Sequence, residues 1–298
     1  MPIPGQESAD LAHAIERASG HRLGLKPEPV AAGGGGGRCL RWPAAPAPLF
    51  VKLVPEARAA MLVAEAAGLE ELARVGVLRV PAVRGVGTTD GVAFLALEWI
   101  ALRNGSARAE AALGTGLARL HRCTAARHGW QRDNTLGATS QPNAWHGDWA
   151  EFFATRRLGH QLGLLERAGG HAALVADGRR LCERVATLLE GHRPPPALLH
   201  GDLWGGNWAA DAADAPVIFD PAVYYGDRET DLAMTRLFGG FGPEFYAAYE
   251  REWPLPPGAA GRAALYNLYH VLNHANLFGG GYSAQATSMI GRLLSELR

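Results

Sequence analysis

The nine residues LHGDLWGGN, at positions 199–207, restrict the possible folds of this chain more than any other segment does. Asn207 stands five residues after Asp202, and Asp220, in VIFDPA, stands 18 residues after Asp202. Both segments read as short apolar strands that end in polar loops. Two carboxylates and an amide at neighbouring strand ends form an oxygen-rich pocket, which suits Mg²⁺ together with phosphate oxygens. The spacing from Asp202 to Asn207 is also that of a kinase catalytic loop, and it predicts phosphoryl transfer.

A second HGD, in HGDW at 146–149, lacks this context. Phe153 stands five residues after Asp148, at the place where the first pattern has an amide. The residues in between read as the beginning of a helix. We therefore expect Asp148 to cap that helix with its side chain and to take no part in chemistry.

Lysine is scarce, since Lys26 and Lys52 are the only lysines among the 29 lysine and arginine residues. Lys52 lies in PLFVKLV, an apolar run typical of a strand, where an ammonium without a partner is costly. On the helix predicted for 56–76, Glu65 shares a face with three leucines and is the expected partner of Lys52. A structural salt bridge would explain the pair alone. Beside a metal-binding loop, the pair is better explained as the one that orients phosphates in kinases.

The character of the chain changes near residue 100. Before it we predict a helix at about 7–20, strands around a glycine-rich turn, the helix at 56–76, and a hairpin around TTDG. After Trp99, helical patterns dominate, at 106–122, 147–166, 171–190, 228–238, 243–252 and 261–278. A small nucleotide-binding lobe of residues 1–100 should therefore precede a larger catalytic and acceptor-binding lobe of residues 101–298, with a cleft between them.

Composition excludes several partners. The formal net charge is zero, so no basic surface favours a nucleic acid. The chain contains no long apolar run that would favour a membrane span, and its N-terminus lacks a signal-peptide pattern. Three cysteines, an odd and sparse set, suit reduced thiols, so we expect a cytoplasmic protein.

The glycine run at 33–37 fits no nucleotide-binding signature. Arg38 follows Gly37, so the Gly-Lys-Ser/Thr of a P-loop is absent, and no register gives G-x-G-x-x-G. A turn without side chains between two strands nevertheless lets backbone N–H groups approach phosphates. We expect Gly34, Gly35 and Gly36 to contact the nucleotide.

Several segments together resemble the fructosamine/ketosamine 3-kinase family, within the aminoglycoside-phosphotransferase-like branch of the protein-kinase-like fold. They include HGDLWGGN, FDPAVYYGDRETDLAM, LFGGFGPEFYAAY, NLYHVLNHANLFGGGY, DNTLGATSQPN with DWAEFF, and FVKL before an E-A-x-G-L helix. The resemblance covers nearly the whole chain. It implies an α+β, bilobal protein-kinase-like fold, with a small antiparallel-sheet N-lobe carrying one main helix and a larger, mostly helical C-lobe.

The resemblance also implies an enzyme that uses ATP and Mg²⁺ to phosphorylate the O3 hydroxyl of a ketose attached to an amine. Carried over by motif, Asp202 is the catalytic base, and Asn207 and Asp220 are the metal ligands. Lys52 and Glu65 form the catalytic pair that orients the phosphates. The backbone from Glu98 to Ile100 is the hinge that meets adenine.

Two further groups of residues are candidates for supporting roles. Asp231, near the beginning of a helix, is expected to brace the catalytic loop through its carboxylate. For the acceptor sugar, the candidates are Trp204 and a helical stripe of Tyr266, His270 and Asn273, with buried packing as the alternative for all four. His270 and His274 lie one helical turn apart, but HVLNH lacks the glutamate of a metalloprotease helix, which argues against zinc.

We therefore predict a phosphotransferase that acts on ketosamines, free or protein-linked. A kinase of another hydroxylated small molecule, such as an aminoglycoside or a sugar, is the nearest alternative, because fold alone does not define the acceptor. A nucleotide-binding pseudokinase is a more distant alternative, and the complete set of catalytic residues argues against it.

Overall fold

The structure, a computed structural model, describes residues 9–31, 37–169 and 171–297. Gly34, Gly35 and Gly36, the glycines expected to contact phosphates, lie outside the described residues. Within the described ranges, no helix is both long enough and apolar enough to cross a membrane.

A five-stranded antiparallel sheet dominates the first hundred residues, with the strand order β2-β3-β5-β7-β6. The short strands β1 and β4 pair beside it. A helix lies against each face of the sheet, α1 and α2. The bounds are α1 Ala9–Ser19, β1 Arg22–Leu23, β2 Glu28–Pro29, β3 Arg38–Trp42, β4 Ala44–Ala45, β5 Leu49–Pro55, α2 Ala59–Val75, β6 Val83–Thr89 and β7 Val92–Glu98.

Strand β5 illustrates why the sheet is covered on both faces. Leu49, Val51 and Leu53 are buried in one apolar cluster with Leu11 and Ile15 of α1. Because side chains alternate along a strand, Lys52 points to the opposite face, where it meets α2. The same alternation that buries the apolar residues under α1 therefore presents the lysine to the cleft.

The rest of the chain is mostly helical, with short two-stranded pairs between the helices. The pairs are β8–β9, β10–β13 and β11–β12. The elements are α3 Ala107–His121, β8 Asn134–Leu136, β9 Thr139–Gln141, α4 Trp149–Phe152, a π-helix Phe153–Gly159, α5 His160–Ala168, α6 Ala172–Cys182, α7 Val185–Leu188, β10 Ala197–Leu199, β11 Trp208–Ala210, β12 Pro216–Ile218, β13 Tyr224–Gly226, α8 Glu229–Leu237, α9 Pro243–Glu252, α10 Ala259–Phe278 and α11 Gly281–Ser295.

The predicted fold class is confirmed, and most predicted elements occur within a few residues of their expected bounds. The helix predicted for 147–166 consists of α4, the π-helix and α5, and that for 171–190 is divided into α6 and α7. Elements that were not predicted include the short strands β1 and β4, the hairpin β8–β9 and the last helix α11, which buries Ala286, Met289, Ile290 and Leu293 behind a glycine-rich beginning.

The two HGD segments have different structural roles, as the sequence predicted. Asp148 is the N-cap of α4, and its Oδ1 accepts a hydrogen bond of 2.8 Å from the backbone N–H of Glu151. The other HGD follows β10 and enters the cleft. The helix-cap role of Asp148 is thereby confirmed.

Candidate active site

The loop after β10 carries Asp202, and the backbone of this loop is held from two directions. Asp231 of α8 accepts hydrogen bonds from the backbone N–H groups of His200 (2.8 Å) and Gly201 (2.9 Å). This confirms that Asp231 braces the loop. On the other side, the N–H of Ala222 donates to the carbonyl of His200 at 2.8 Å.

Gly201 is required at this crossing. Its φ is +82°, a conformation that L side chains rarely adopt, and an added Cβ would lie 2.0 Å from the carbonyl oxygen of Ala222. The glycine therefore lets the loop of Asp202 and the loop of Asp220 approach each other closely.

The Asp202 carboxylate is partly exposed to the cavity below the sheet and lies beside Asn207. The Asn207 amide nitrogen donates to the Asp202 carbonyl at 2.8 Å and lies 3.2 Å from Oδ2 of its carboxylate. Burial, followed by the nearby negative charge of Asp220, raises the pKa of Asp202 to about 7. A carboxylate with such a pKa can take up a proton near neutral pH, as a general base must.

Lys52 forms two ion pairs within the cleft. Its Nζ lies 2.6 Å from Oε1 of Glu65 on α2 and 2.5 Å from Oδ1 of Asp220. Burial alone would lower the pKa of the ammonium, but the two carboxylates outweigh it and raise the pKa of Lys52. The lysine is therefore held charged, and it joins the sheet, α2 and the loop after β12 at one point.

Asp220 has an unusual backbone conformation. Its φ is +55°, in the left-handed region, which costs a non-glycine residue conformational energy. The neighbouring Phe219 is held on both sides: its N–H donates to the Asn207 carbonyl at 3.1 Å, and its carbonyl accepts from Nε2 of His200 at 3.0 Å. These bonds keep the Asp220 carboxylate in the same cavity as Asp202 and Lys52.

The oxygen atoms of Asn207 and Asp220 that face the cavity are suitable ligands for a hard divalent cation. The Asn207 amide group uses its nitrogen in hydrogen bonds, and its Oδ1 accepts none from the described residues. Oδ2 of Asp220 is likewise outside the ion pair with Lys52. Carboxylate and amide oxygens at one edge of a cavity are ligands that Mg²⁺ prefers.

A second cavity continues from Asp220 along the ends of the central strands β5 and β7. Its walls are largely apolar and include Glu98, Ile100 and residues on both sides of the cleft: Val30, Phe50, Leu97, Trp99, Leu102 and Phe219. The Glu98 carboxylate points to Arg79, at 2.7 Å, and its backbone N–H is bonded to Ala82.

On the acceptor side, the structure brings only one of the four predicted residues to the cavity. Trp204 lines it, with 37% of its surface exposed, and an added Cβ on Gly206 would lie 2.3 Å from its indole. The indole therefore packs against Gly206, in the cavity that Asp202 also lines.

The predicted sugar-binding stripe on α10 lies inside the protein, so its placement at the cleft was wrong. Tyr266 is 1% exposed and donates a hydrogen bond of 2.6 Å to Asp227. Asn273 accepts from Gln161 at 3.3 Å, and burial lowers the pKa of His270 to about 3. Periodicity placed these three side chains on one face of the helix, but that face packs against the core.

The sequence reasoning missed the hairpin β8–β9 as part of the site. Asn134, Thr135 and Gly137 line the cavity that contains Asp202. The Asn134 amide donates to the Val223 carbonyl at 2.8 Å and accepts from Gln141, which fixes the hairpin against the loop after Asp220. Nothing in the local pattern of the polar DNTLG segment indicated contact with Asp202.

Comparison with solved structures defines the class of protein. An aminoglycoside phosphotransferase superposes with a TM-score of 0.61 over 95% of this chain and 96% of its own length, at 15% sequence identity. The fold is therefore protein-kinase-like. A protein of Haemophilus somnus 129PT assigned as a fructosamine-3-kinase superposes with a TM-score of 0.86 at 29% identity, covering 96% of this chain and 97% of that one.

The chain belongs to the fructosamine kinase family, whose profile matches residues 8–296. It is 48% identical over 246 residues to a probable ketoamine kinase of Synechocystis sp., covering 82% of each chain. It is 42% identical over 252 residues to a chloroplastic protein-ribulosamine 3-kinase of Arabidopsis thaliana, covering 84% of this chain and 77% of that relative. The protein is thus a phosphotransferase with a hydroxyl group as acceptor.

Proposed function

We propose that the protein transfers the γ-phosphoryl group of ATP to the O3 hydroxyl of a ketosamine in a Mg²⁺-dependent reaction. Family membership and the names of its relatives support the acceptor class and the position. The observation that carries the proposal is the meeting of Lys52, Asp202 and Asp220 in one cavity beside Trp204.

In this proposal the nucleotide occupies the apolar cavity along the sheet. Adenine meets the backbone of Glu98 and Ile100, and Lys52, kept in place by Glu65, neutralises charge on the phosphates. For Gly34, Gly35 and Gly36, which lie outside the described residues, we keep the expectation from the sequence that they contact the nucleotide. We keep the division into a nucleotide-binding lobe of residues 1–100 and a catalytic and acceptor-binding lobe of residues 101–298.

Asn207 and Asp220 would hold Mg²⁺, which supplies positive charge that stabilises the transferring phosphoryl group. Asp202 faces the acceptor. Its carboxylate orients the ketose hydroxyl for attack and accepts its proton, a role that its raised pKa favours. Asp231 and Gly201 keep the loop in the position that this proton transfer needs.

Trp204 supplies an apolar face for the C–H groups of the sugar at the acceptor end of the cavity. Tyr266, His270 and Asn273 have no part in the proposal, because they lie in the core. We also keep the cytoplasm as the expected location, since Cys39, Cys123 and Cys182 are free thiols.

The test is an ATP-consumption assay with a matched panel of fructosamines, ribulosamines, free ketoses and aminoglycosides, followed by NMR of each product. We expect turnover with the ketosamines, with the phosphate on O3, and loss of that turnover without Mg²⁺. Asp202→Asn is the control, since it should bind MgATP but transfer no phosphate. Faster turnover of an aminoglycoside or a free sugar than of every ketosamine would contradict the proposed acceptor.

A further inference from the structure

Four exposed apolar side chains gather at the acceptor side of the cleft. Among the described residues, eight large apolar side chains are exposed, and four of these are Trp204, Phe238, Leu277 and Phe278. Phe278 is the most exposed of the four, at 67%. We call these four residues the apolar rim. Single exposed apolar residues are ordinary, but a cluster beside a reaction cavity favours a binding role.

Contacts around the rim connect it to the reaction cavity at both ends. At one end, the N–H of Gly205, next to Trp204, donates to the carbonyl of Gly239, next to Phe238, at 3.2 Å. At the other end, a Cβ added to the cavity-lining Gly137 would lie 3.6 Å from Leu277.

The two ends of the rim are joined by aromatic packing. The His274 ring lies between Phe238 and Phe278, with centroid distances of 4.8 and 5.4 Å. The rim therefore follows the mouth of the cavity from Trp204 to Gly137.

The polypeptide that forms one side of this mouth has no acidic side chain, lysine or arginine. No Asp, Glu, Lys or Arg occurs between Arg262 and Arg292, a stretch that includes all of the rim on α10. A charged group placed against these side chains would lose water without gaining an ionic partner. An uncharged alkyl or aryl group would bury apolar surface there.

We propose that the apolar rim binds the substituent on the acceptor amine and selects acceptors in which that substituent is an uncharged alkyl or aryl chain. The inference rests on the proposed function, which places the sugar at Asp202. A ketosamine whose sugar meets Asp202 must direct its amine substituent out of the cavity mouth, and the rim lies along that exit. Phe238, Leu277 and Phe278 are then specificity-determining residues.

The experiment varies the amine and keeps the sugar constant. Ketosamines made from methylamine, propylamine, pentylamine and benzylamine carry the same charge at nitrogen and differ only in apolar length. For the unmodified protein, we expect kcat/KM to rise about two- to fourfold for each methylene that reaches the rim. The ketosamine of glycine, with a carboxylate beside the nitrogen, should gain nothing from the rim.

Phe278→Ser and Phe238→Ser should flatten this dependence, so that the pentylamine and benzylamine derivatives lose far more kcat/KM than the methylamine derivative. Phe278→Leu retains an apolar surface and should preserve the dependence of kcat/KM on chain length. Leu25→Ser, at a fully exposed position elsewhere, is the matched control. Turnover that is independent of chain length, or a length dependence that survives both serine variants, would overturn the inference alone. Absence of turnover with every ketosamine would overturn the proposed function as well.

Discussion

The Tyr225 hydroxyl donates a hydrogen bond of 2.7 Å to Oε1 of Glu71, and this bond joins α2 to the strand that follows Asp220. Glu71 is 8% exposed, so its carboxylate depends on the few partners around it. Nearby, a Cβ added to Gly68 of α2 would lie 3.3 Å from Val223. The helix that carries Glu65 therefore lies directly on the segment after Asp220. We therefore infer that the two ion pairs of Lys52 are coupled, since a shift of α2 relative to this segment would break the bond between Glu71 and Tyr225.

Tyr225→Phe tests this coupling. The change removes one hydroxyl and leaves a buried carboxylate with one partner fewer, which should cost about 1–3 kcal/mol of unfolding free energy. Because α2 orients Lys52 through Glu65, we also expect kcat/KM for MgATP to fall about tenfold, with little change in acceptor KM. Tyr246→Phe, which removes a hydroxyl bonded to Thr235 on the far helices, is the control. Loss of stability without a kinetic change would mean that the tyrosine only supports the fold.

The pKa of Asp202 predicts the acidic limb of the pH–rate profile. In the proposed mechanism the carboxylate is the active form, and its pKa is raised to about 7, so kcat/KM should increase as the pH rises through neutrality. Part of that rise in pKa comes from the charge of Asp220, which a bound divalent cation would offset. The pH dependence of kcat reports the enzyme with bound substrates, whereas that of kcat/KM reports the free enzyme. The rise in kcat should therefore occur at lower pH than the rise in kcat/KM. Steady-state rates between about pH 5 and 9 give both curves. A flat profile across neutrality would contradict the assignment of Asp202.

The same shift has a consequence for stability. The pKa of Asp202 is higher in the folded protein than in the unfolded chain, so folding favours its protonated form. The free energy of unfolding therefore loses a contribution as the pH rises from the unfolded pKa towards about 7. Asp202→Asn removes this loss, and we expect its gain in Tm over the unmodified protein to be larger at pH 8 than at pH 5. An equal gain in Tm at both pH values would mean that folding does not raise the pKa of Asp202.

The meeting of Lys52, Asp202, Asn207 and Asp220 in one cavity could be predicted from the sequence, because it depends on short spacings and on residue type. Asp202, Asn207 and Asp220 lie on two adjoining loops, and the alternation in β5 directs Lys52 away from α1 and towards the cleft. The acceptor side could not be predicted in the same way. Tyr266 and Trp204 are both amphipathic aromatics, and only the packing of α10 against Asp227 and Trp149 places Tyr266 inside. The hairpin around Asn134 reaches the site through tertiary contacts that have no local signature.

Asp220→Asn removes the negative charge at the proposed metal site and should keep the backbone conformation. Asparagine tolerates the left-handed conformation that Asp220 adopts, so the loop should keep its shape while it loses a cation ligand. We expect Mg²⁺-dependent turnover to disappear and the Tm to change little. Asp148→Ala is the counterpart in the other HGD. It should cost about 1 kcal/mol of stability as a lost helix cap and leave turnover unchanged. Normal Mg²⁺ dependence in Asp220→Asn would exclude it as a ligand.

Lys52→Arg should disable the enzyme although the charge is conserved. Lys52 is a compact charge that lies 2.6 Å from Glu65 and 2.5 Å from Asp220, in a space bounded by the sheet and α2. A planar guanidinium is larger and directs its hydrogen bonds as a fork, so it cannot reach both carboxylates and a phosphate from the same position. We expect kcat/KM for ATP to fall at least about a hundredfold. Near-normal kcat/KM in the variant would show that the pair is structural.

Trp204→Ala tests the acceptor side, where Trp204 is the only predicted sugar-binding residue that lines the cavity. Its indole is partly exposed beside Asp202 and packs on Gly206, so its removal should take away an apolar surface without opening the core. We expect the KM for the ketosamine to rise about tenfold or more, while the affinity for MgATP stays within a few-fold.

His270→Ala is the contrasting variant. Because His270 is 4% exposed on the packed face of α10, its replacement should lower the Tm and leave the acceptor KM unchanged. If Trp204→Ala weakens the use of both substrates equally, the indole supports the loop of Asp202. If His270→Ala raises the KM for the ketosamine, α10 takes part in sugar binding.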